Sequence, residues 1–309
     1  MSSPTIRYAA VEMPGGWRGR VYETAGRPIA GSLATAMEIT VREWRDHWPR
    51  IMELGFSADA ESVIKTSPGG QVARVRIPFQ AGPLDLICKQ SRPRGLIGRL
   101  ASVLRASRAR MNFVRGNQLL DANVGTAVPL AVMHRRRAGI WRESLLITEA
   151  VQGAVDLDRA CQVELWRLGG AALYRVKAQL IRSLAQMLAG VLSLGLYHRD
   201  MKAPNILVTG LMDDNQPVGA VLVDLDGLRR GGPKSLKRVW QPVMRLNASL
   251  QDHPVVTRTD RLRFLQLVLW TVGQQPSTAK GYWRMLDAWT AQFLRRQRSA
   301  SRGKLSAYR

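Results

Sequence analysis

Acidic residues are scarce in this sequence: 23 Asp and Glu stand against 46 Lys and Arg over 309 residues, a formal charge of +23. Such an excess points to a polyanionic partner, whether nucleic acid, an anionic membrane surface, or a phosphorylated or carboxylated substrate. Cysteine is as sparse. Cys88 and Cys161 supply neither a zinc-ligand cluster nor a framework of bridges, which excludes a small disulfide scaffold and fits a reducing compartment. Long apolar runs are missing too. The longest, Met187 to Tyr197, is about half of the ~20 residues a spanning helix needs, so no transmembrane helix is expected. The N-terminus, Met1-Ser-Ser-Pro-Thr-Ile-Arg, has no basic region followed by an apolar one, so a secretory signal is not expected and the chain is placed in the cytoplasm. What is present is a hydrophobic content of 46%, enough for a folded chain, over a length that predicts about two domains or lobes.

The pattern along the chain divides near residue 151. Residues 1–60 read as an N-terminal extension, with a β-like pair around Pro14-Gly15-Gly16 and a helix from about Ala36 to Leu54 that spaces Trp44, Trp48 and Ile51 on one face. Residues 61–151 open with three short β patterns, Ser62–Thr66, Val72–Pro78 and Leu84–Gln90, the first two joined through Ser67-Pro68-Gly69-Gly70. Helical periodicity follows from Arg94 to Asn123, as two helices, and then β-like Leu130–His134 and Ser144–Glu149. Residues 152–309 are mainly helical: a long pattern over Leu173–Leu196, short β runs at Asn205–Val208 and Gly219–Asp224, and helices near Leu236–Leu250, Asp260–Val272 and Tyr282–Arg295.

The chemistry lies in His198-Arg199-Asp200-Met201-Lys202-Ala203-Pro204-Asn205, which matches the catalytic-loop pattern H-R-D-L-x-x-x-N of protein kinases with Met in place of Leu. Phosphoryl transfer needs a carboxylate to accept the proton of the attacking hydroxyl and a nearby side-chain oxygen to hold Mg²⁺. Asp200 and Asn205 suit those roles, while His198 and Arg199 read as structural. Downstream, Val221-Leu222-Val223-Asp224-Leu225-Asp226-Gly227 ends an apolar strand on an acid, where kinases place the metal-binding Asp of D-F-G; Asp224 is the counterpart and Asp226 a further candidate. Upstream, Leu84–Lys89 fits the third strand of a kinase small lobe, which assigns Lys89 to the nucleotide phosphates. Gly69 and Gly70 occupy the place of the phosphate-covering glycine loop, although adjacent glycines also suit a simple hairpin turn. Glu149-Ala150-Val151 sits where the adenine-binding hinge belongs, making Glu149 and Val151 nucleotide candidates.

With these motifs the sequence resembles the bacterial lipopolysaccharide kinases that phosphorylate Kdo or heptose of the inner core. The similar stretch runs from about Val63 to Leu269. It includes the compact His198–Asn205 loop, Asp224 and Asp226 in place of Asp-Phe-Gly, the basic Ser107-Arg108-Ala109-Arg110, the turn Gly125-Thr126-Ala127-Val128-Pro129, and Thr257–Leu265. The resemblance implies an α+β, two-lobed protein-kinase-like fold with a small antiparallel-sheet N-lobe and a mainly helical C-lobe. It also implies ATP and Mg²⁺ as cofactors and a glycolipid sugar hydroxyl as acceptor. No A-P-E triplet follows Gly227, against an ordinary regulated protein kinase, whereas Lys202 resembles Ser/Thr kinases. Asn112 stands where active kinases place the helix Glu that pairs the strand Lys, since no acid occurs between Asp85 and Asp121. A membrane-bound pseudokinase and an atypical Ser/Thr protein kinase therefore stay open as alternatives.

The basic residues are concentrated. Lys89, Arg92, Arg94, Arg99, Arg105, Arg108, Arg110 and Arg115 interleave with Leu96, Ile97, Leu100, Val103 and Leu104 at helical spacing, and the tail from Phe293 carries Arg295, Arg296, Arg298, Arg302, Lys304 and Arg309. A basic amphipathic pattern suits a helix on an anionic membrane surface and equally a core-packed helix with a solvated charged face; the tail could add to membrane attachment or be a disordered polar end. The expected partners are an anionic glycolipid or sugar and, peripherally, the inner membrane face. Nucleic acid, for which no recognition motif is present, is not expected.

Overall fold

Strict alternation of apolar and polar residues writes the first unit of the chain as a sheet. In β4 (Gly70–Phe79), Ala73, Val75, Ile77 and Phe79 are buried while Arg74, Arg76 and Pro78 between them are exposed. In β5 (Gly82–Ser91), Leu84, Leu86, Cys88 and Gln90 turn to the same core. The computed structural model describes residues 6–25, 32–34, 37–57, 62–67, 69–93, 106–137, 140–211, 216–231 and 236–306. It divides the chain into one unit of Met1–Ala122 with Thr126–Gln152 and a second of Asn123–Gly125 with Gly153–Arg309. An antiparallel sheet makes up the N-terminal region and helices dominate the C-terminal region.

The first unit holds β1 (Ile6–Met13), β2 (Trp17–Ala25), α1 (Val41–Phe56), β3 (Val63–Ser67), β4, β5, α2 (Arg108–Asp121), β6 (Pro129–Arg137) and β7 (Ile140–Glu149). Its strands form one seven-stranded sheet in the order β1-β2-β6-β7-β5-β4-β3. The β-like pair expected as part of an extension thus supplies two strands of that sheet. The reason is local: β2 pairs with β6 through Gly19↔Met133, and a Cβ on Gly19 would lie 2.7 Å from Met133 Sδ and closer still to the Val132 carbonyl. Only glycine lets the two backbones approach. Trp17, Val21 and Tyr22 then join Trp44, Trp48 and Ile51 of α1 in one core. Helix α1 starts at Val41 rather than Ala36 because Thr40 and Glu43 form a capping box there.

Helix α2 covers the opposite face, packing Ala109 and Phe113 against Val132 and Leu146. Ser107 caps it by accepting from Arg110 N at 3.1 Å. The preceding helix expected from Arg94 falls in residues 94–105, outside the described residues, and with it most of the basic amphipathic pattern.

The second unit holds β8 (Val155–Asp156), α3 (Leu157–Gln162), α4 (Gly170–Ser193), β9 (Leu196–His198), β10 (Ile206–Thr209), β11 (Gly219–Leu222), β12 (Leu228–Arg230), α5 (Leu236–Ser249), α6 (Arg258–Thr271) and α7 (Ala279–Ser306). The apolar stripe of α4, Leu180, Leu184, Met187, Leu188 and Val191, is buried as its spacing predicts. Lys177 of α4 pairs with Asp260 of α6, the residue that also closes the capping box with Thr257. The tail beyond Phe293 is helical through Ser306; its Arg, Gln, Ala and Lys residues are good helix formers. Among the described residues no helix is long and apolar enough to cross a membrane.

Candidate active site

Two short strands that no periodicity could reveal hold the catalytic-type loop. β9 ends on His198 and pairs with β12 through Leu228↔His198, and Arg199 N donates to Gly227 O at 3.0 Å. The His198 ring is fully buried, with Nε2 3.1 Å from Asp224 O. A carbonyl only accepts, so Nε2 carries the hydrogen, and Nδ1 has no partner among the described residues. Burial pushes the His198 pKa below its ordinary value; the carbonyl and carboxylate of Asp224 pull it up by less. The ring is therefore neutral, and the ring face rests on Gly227, where a Cβ would lie 2.8 Å from Nδ1 and closer still to Cε1 and Nε2. His198 thus clamps the loop to the Asp224–Gly227 turn.

A neutral buried His must take up a proton to match the unfolded chain in acid. Its folded pKa is depressed, so the stability it contributes is complete above about 6.5 and is lost as pH falls below that value. Unfolding followed from pH 7.5 to 5.5 should show this loss. His198→Gln, whose amide can still donate to Asp224 O, should flatten the slope; an unchanged slope would assign it elsewhere.

Asp200 is half-buried after the clamp, and the chain returns through a 3₁₀ turn at Ala203–Asn205. Asn205 is buried and donates through Nδ2 to Asp200 O at 2.9 Å, while its own carbonyl accepts Val223 N at 2.9 Å. Asn205 thereby ties the backbone of residue 200 to the segment leading into Asp224. Asp224 itself is exposed and adopts a left-handed backbone, φ 55 and ψ 59, unusual for a residue with a Cβ. Backbone in this region commonly marks a functional turn, and here it brings the main chain round so that Asp224 O meets His198. The second unit therefore gathers Asp200, Asn205 and Asp224 into one hydrogen-bonded assembly.

The remaining candidates lie in the first unit. Lys89 is half-buried on β5, opposite Leu146 of β7, so it stands on the α2 face of the sheet. Asn112 is buried on the inner face of α2. Gly70 pairs with Ser91 at the end of the β4–β5 ladder, and a Cβ there would strike the Gln90 carbonyl; Gly69 O accepts from Arg92 N at 3.0 Å. Close strand approach accounts for Gly70.

Glu149 has side-chain partners within the first unit. Its buried carboxylate accepts from Ser32 Oγ, from Leu33 N at 2.6 Å and from Ala34 N at 3.3 Å. Burial still raises its pKa, more than these donors lower it. The side chain anchors an N-terminal segment. Val151 is half-exposed, one residue beyond Ala150, whose N–H donates to Asp85 O at 2.8 Å.

Comparison with known families decides what kind of chain carries these residues. Residues 99–267, more than half of the sequence, match the model of the lipopolysaccharide kinase (Kdo/WaaP) family. The chain belongs to this family. A solved structure of WaaP in complex with acyl carrier protein is similar in fold, with a TM-score of 0.58 and 21% identity over 84% of this chain and 99% of that one. The Toxoplasma gondii rhoptry antigen kinase domain aligns at a TM-score of 0.42 and 12% identity, covering 74% of this chain and 81% of that one. No curated protein matches the sequence.

The Kdo/WaaP match spans Asp200, Asn205 and Asp224 and starts after Lys89, Gly69 and Gly70. It also takes in three residues that motif reading passed over. Along α5 of this lipopolysaccharide kinase family member, Gln241 Nε2 reaches Arg199 O at 3.5 Å, Arg245 Nη1 reaches Asp200 Oδ1 at 3.4 Å, and Ser249 Oγ accepts Ala203 N at 2.9 Å. Their spacing of i, i+4, i+8 is one stripe of a helix, laid along the loop from 199 to 203. The signal was in the sequence as a polar stripe on an otherwise amphipathic helix, but only the fold says what that stripe faces.

Proposed function

We propose that this chain transfers the γ-phosphoryl group of ATP to a sugar hydroxyl of a glycolipid resembling lipopolysaccharide core, at the cytoplasmic face of a membrane. The observation that carries the reading is the joining of Asp200, Asn205 and Asp224 through the Asn205–Asp200 and His198–Asp224 hydrogen bonds. Asp200 accepts the proton of the acceptor hydroxyl as its oxygen forms the new bond to phosphorus and the bond from phosphorus to the bridging oxygen of ADP breaks. Lys89 contacts the nucleotide phosphates, and the backbone near Val151 receives the base.

The donor set suits Mg²⁺. Asn205 uses its amide nitrogen on Asp200 O, which leaves Oδ1 as the ligand atom, and Asp224 adds one exposed carboxylate. No group of three or more His, Cys, Asp or Glu that could hold a metal occurs among the described residues. A cation held by one carboxylate, one amide oxygen and substrate phosphates is the arrangement Mg²⁺ prefers. When bound, it neutralises phosphate charge. The exposed Arg295, Arg296 and Arg298 of α7 support attachment to an anionic leaflet, at about 1 kcal/mol per basic residue. Incubation of the purified protein with labelled ATP and lipid-linked core sugars tests the reading. Transfer of label well above an Asp200→Asn control is expected; none on any acceptor would overturn it in favour of a pseudokinase.

A second capacity is favoured by an apolar cavity within the helical unit, lined by Leu180, Leu184, Leu246, Leu265, Trp283 and Leu286 among others. Its walls suit a hydrocarbon chain, and the WaaP of similar fold was solved with acyl carrier protein. We propose that it takes an acyl chain. Palmitoyl-loaded acyl carrier protein should raise the melting temperature by several degrees and the unloaded carrier should not; equal effects would remove the idea.

A further inference from the structure

We propose that Arg245 is an acceptor-binding residue: its guanidinium, beside Asp200, holds a carboxylate or phosphate of the sugar whose hydroxyl is phosphorylated. This rests on the reading of Asp200 as the base. The charge count around that carboxylate is the starting point. Lys202 Nζ lies 3.6 Å from Asp200 Oδ2 and Arg245 Nη1 lies 3.4 Å from Oδ1, so one negative charge is flanked by two positive ones. Neither distance is that of a charge-assisted hydrogen bond, for which about 2.7–2.9 Å is usual. The two cations are near Asp200 without being consumed by it.

Arg245 is also aimed. Its guanidinium carbon sits 4.4 Å from the ring centroid of Phe293 on α7, which holds the group against that ring, and its side chain keeps 27% of its exposure. Beyond Asp200 and Phe293 it has no other charged or ring partner among the described residues. A planar, oriented guanidinium with free N–H donors, reachable from solvent and adjacent to the catalytic carboxylate, matches the fork geometry of a carboxylate or phosphate. A loop brace alone would need none of this, since Ser249 on the same stripe already holds the backbone N–H of residue 203 and Gln241 approaches the backbone of residue 199. The middle residue of the stripe differs from them in touching a side chain, and that side chain is the base.

The inference makes the acceptor an anionic sugar with its charge close to the reacting hydroxyl. Two pairs of probes separate the possible anions: Kdo against its methyl ester for a carboxylate, and mannose 6-phosphate against mannose for a phosphate. Binding of each is measured by calorimetry with the full chain and a non-hydrolysable ATP analogue, and transfer is measured with Mg-ATP. The wild type should prefer the anionic member of at least one pair by 10-fold or more, chiefly in KM. Arg245→Gln should reduce that preference to 2-fold or less and Arg245→Lys should restore part of it. Equal use or binding of both members of both pairs by the wild type would overturn the proposal. So would an Arg245→Gln variant that loses kcat equally on all probes, the signature of a brace. If no probe is phosphorylated, the kinase reading has failed. The calorimetric preference and its loss in Arg245→Gln still decide the anion site.

Discussion

Gly227→Ala is expected to destabilise the helical unit by about 3 kcal/mol, at the upper end of the usual overpacking range, and to abolish activity with it. The new methyl group has nowhere to go. It would fall 2.8 Å from His198 Nδ1 and nearer to two other ring atoms, and the ring is fully buried, with β9 on one side and β12 on the other fixed in register at Leu228↔His198. Turning the ring aside would break its donation to Asp224 O, the bond that joins the loop to the turn. Gly227, the residue after Asp226, is thus the floor under the loop's histidine. The steric origin can be isolated by a double-mutant cycle. His198→Ala empties the space, so the pair Gly227→Ala with His198→Ala should be less destabilised than the sum of the two single changes by 1 kcal/mol or more. Urea unfolding of the four proteins measures it, and strict additivity would show that the methyl group is harmful for some other reason.

The elements legible in the sequence are those whose own residues carry the pattern. β4 and β5 alternate cleanly, α4 spaces its leucines on one stripe, and the His198–Asn205 run states its chemistry by spacing alone. What could not be read depends on partners far along the chain. β1 and β2 looked like an appendage because nothing in residues 6–25 announces that Gly19 will meet Met133. Glu149 was placed by the order of elements alone, and nothing near it in sequence announces that its carboxylate is held by Ser32, Leu33 and Ala34, more than a hundred residues earlier. β9 and β12 have three residues each, too few for any period, so the clamp on His198 was invisible although His198 itself was not. Arg245 was unmarked for the same reason as Gln241 and Ser249: a polar stripe on a helix reads as a solvated face until the fold shows a loop lying on it. In each case the missing information was a tertiary neighbour, and in each case the site depends on that neighbour for its shape.

Asp200→Asn should lower kcat by about 10²–10⁴-fold, the range lost when a positioned general base is removed, and should leave nucleotide binding intact. The substitution keeps an oxygen able to accept a hydrogen bond and changes the volume hardly at all, but an amide cannot take the acceptor's proton. The loop should hold its form, because what fixes it involves the backbone of residue 200: Asn205 Nδ2 donates to Asp200 O, and the neighbouring Arg199 N donates to Gly227 O. Asp224→Ala should fail differently. It removes the exposed carboxylate proposed for Mg²⁺ while the backbone carbonyl that receives His198 stays, so stabilisation by Mg-ATP, about 2.7 kcal/mol at a hundred times Kd in the wild type, should be largely lost. The two variants therefore separate chemistry from metal-nucleotide binding on one fold: Asp200→Asn stabilised by Mg-ATP but inactive, Asp224→Ala neither stabilised nor active. An Asp200→Asn protein that turns over at the wild-type rate would remove the base from the mechanism, and with it the reason for a carboxylate to stand between Lys202 and Arg245. Equal thermal responses of Asp224→Ala and wild type to Mg-ATP would move the metal site elsewhere, with Asp226 the next oxygen to test.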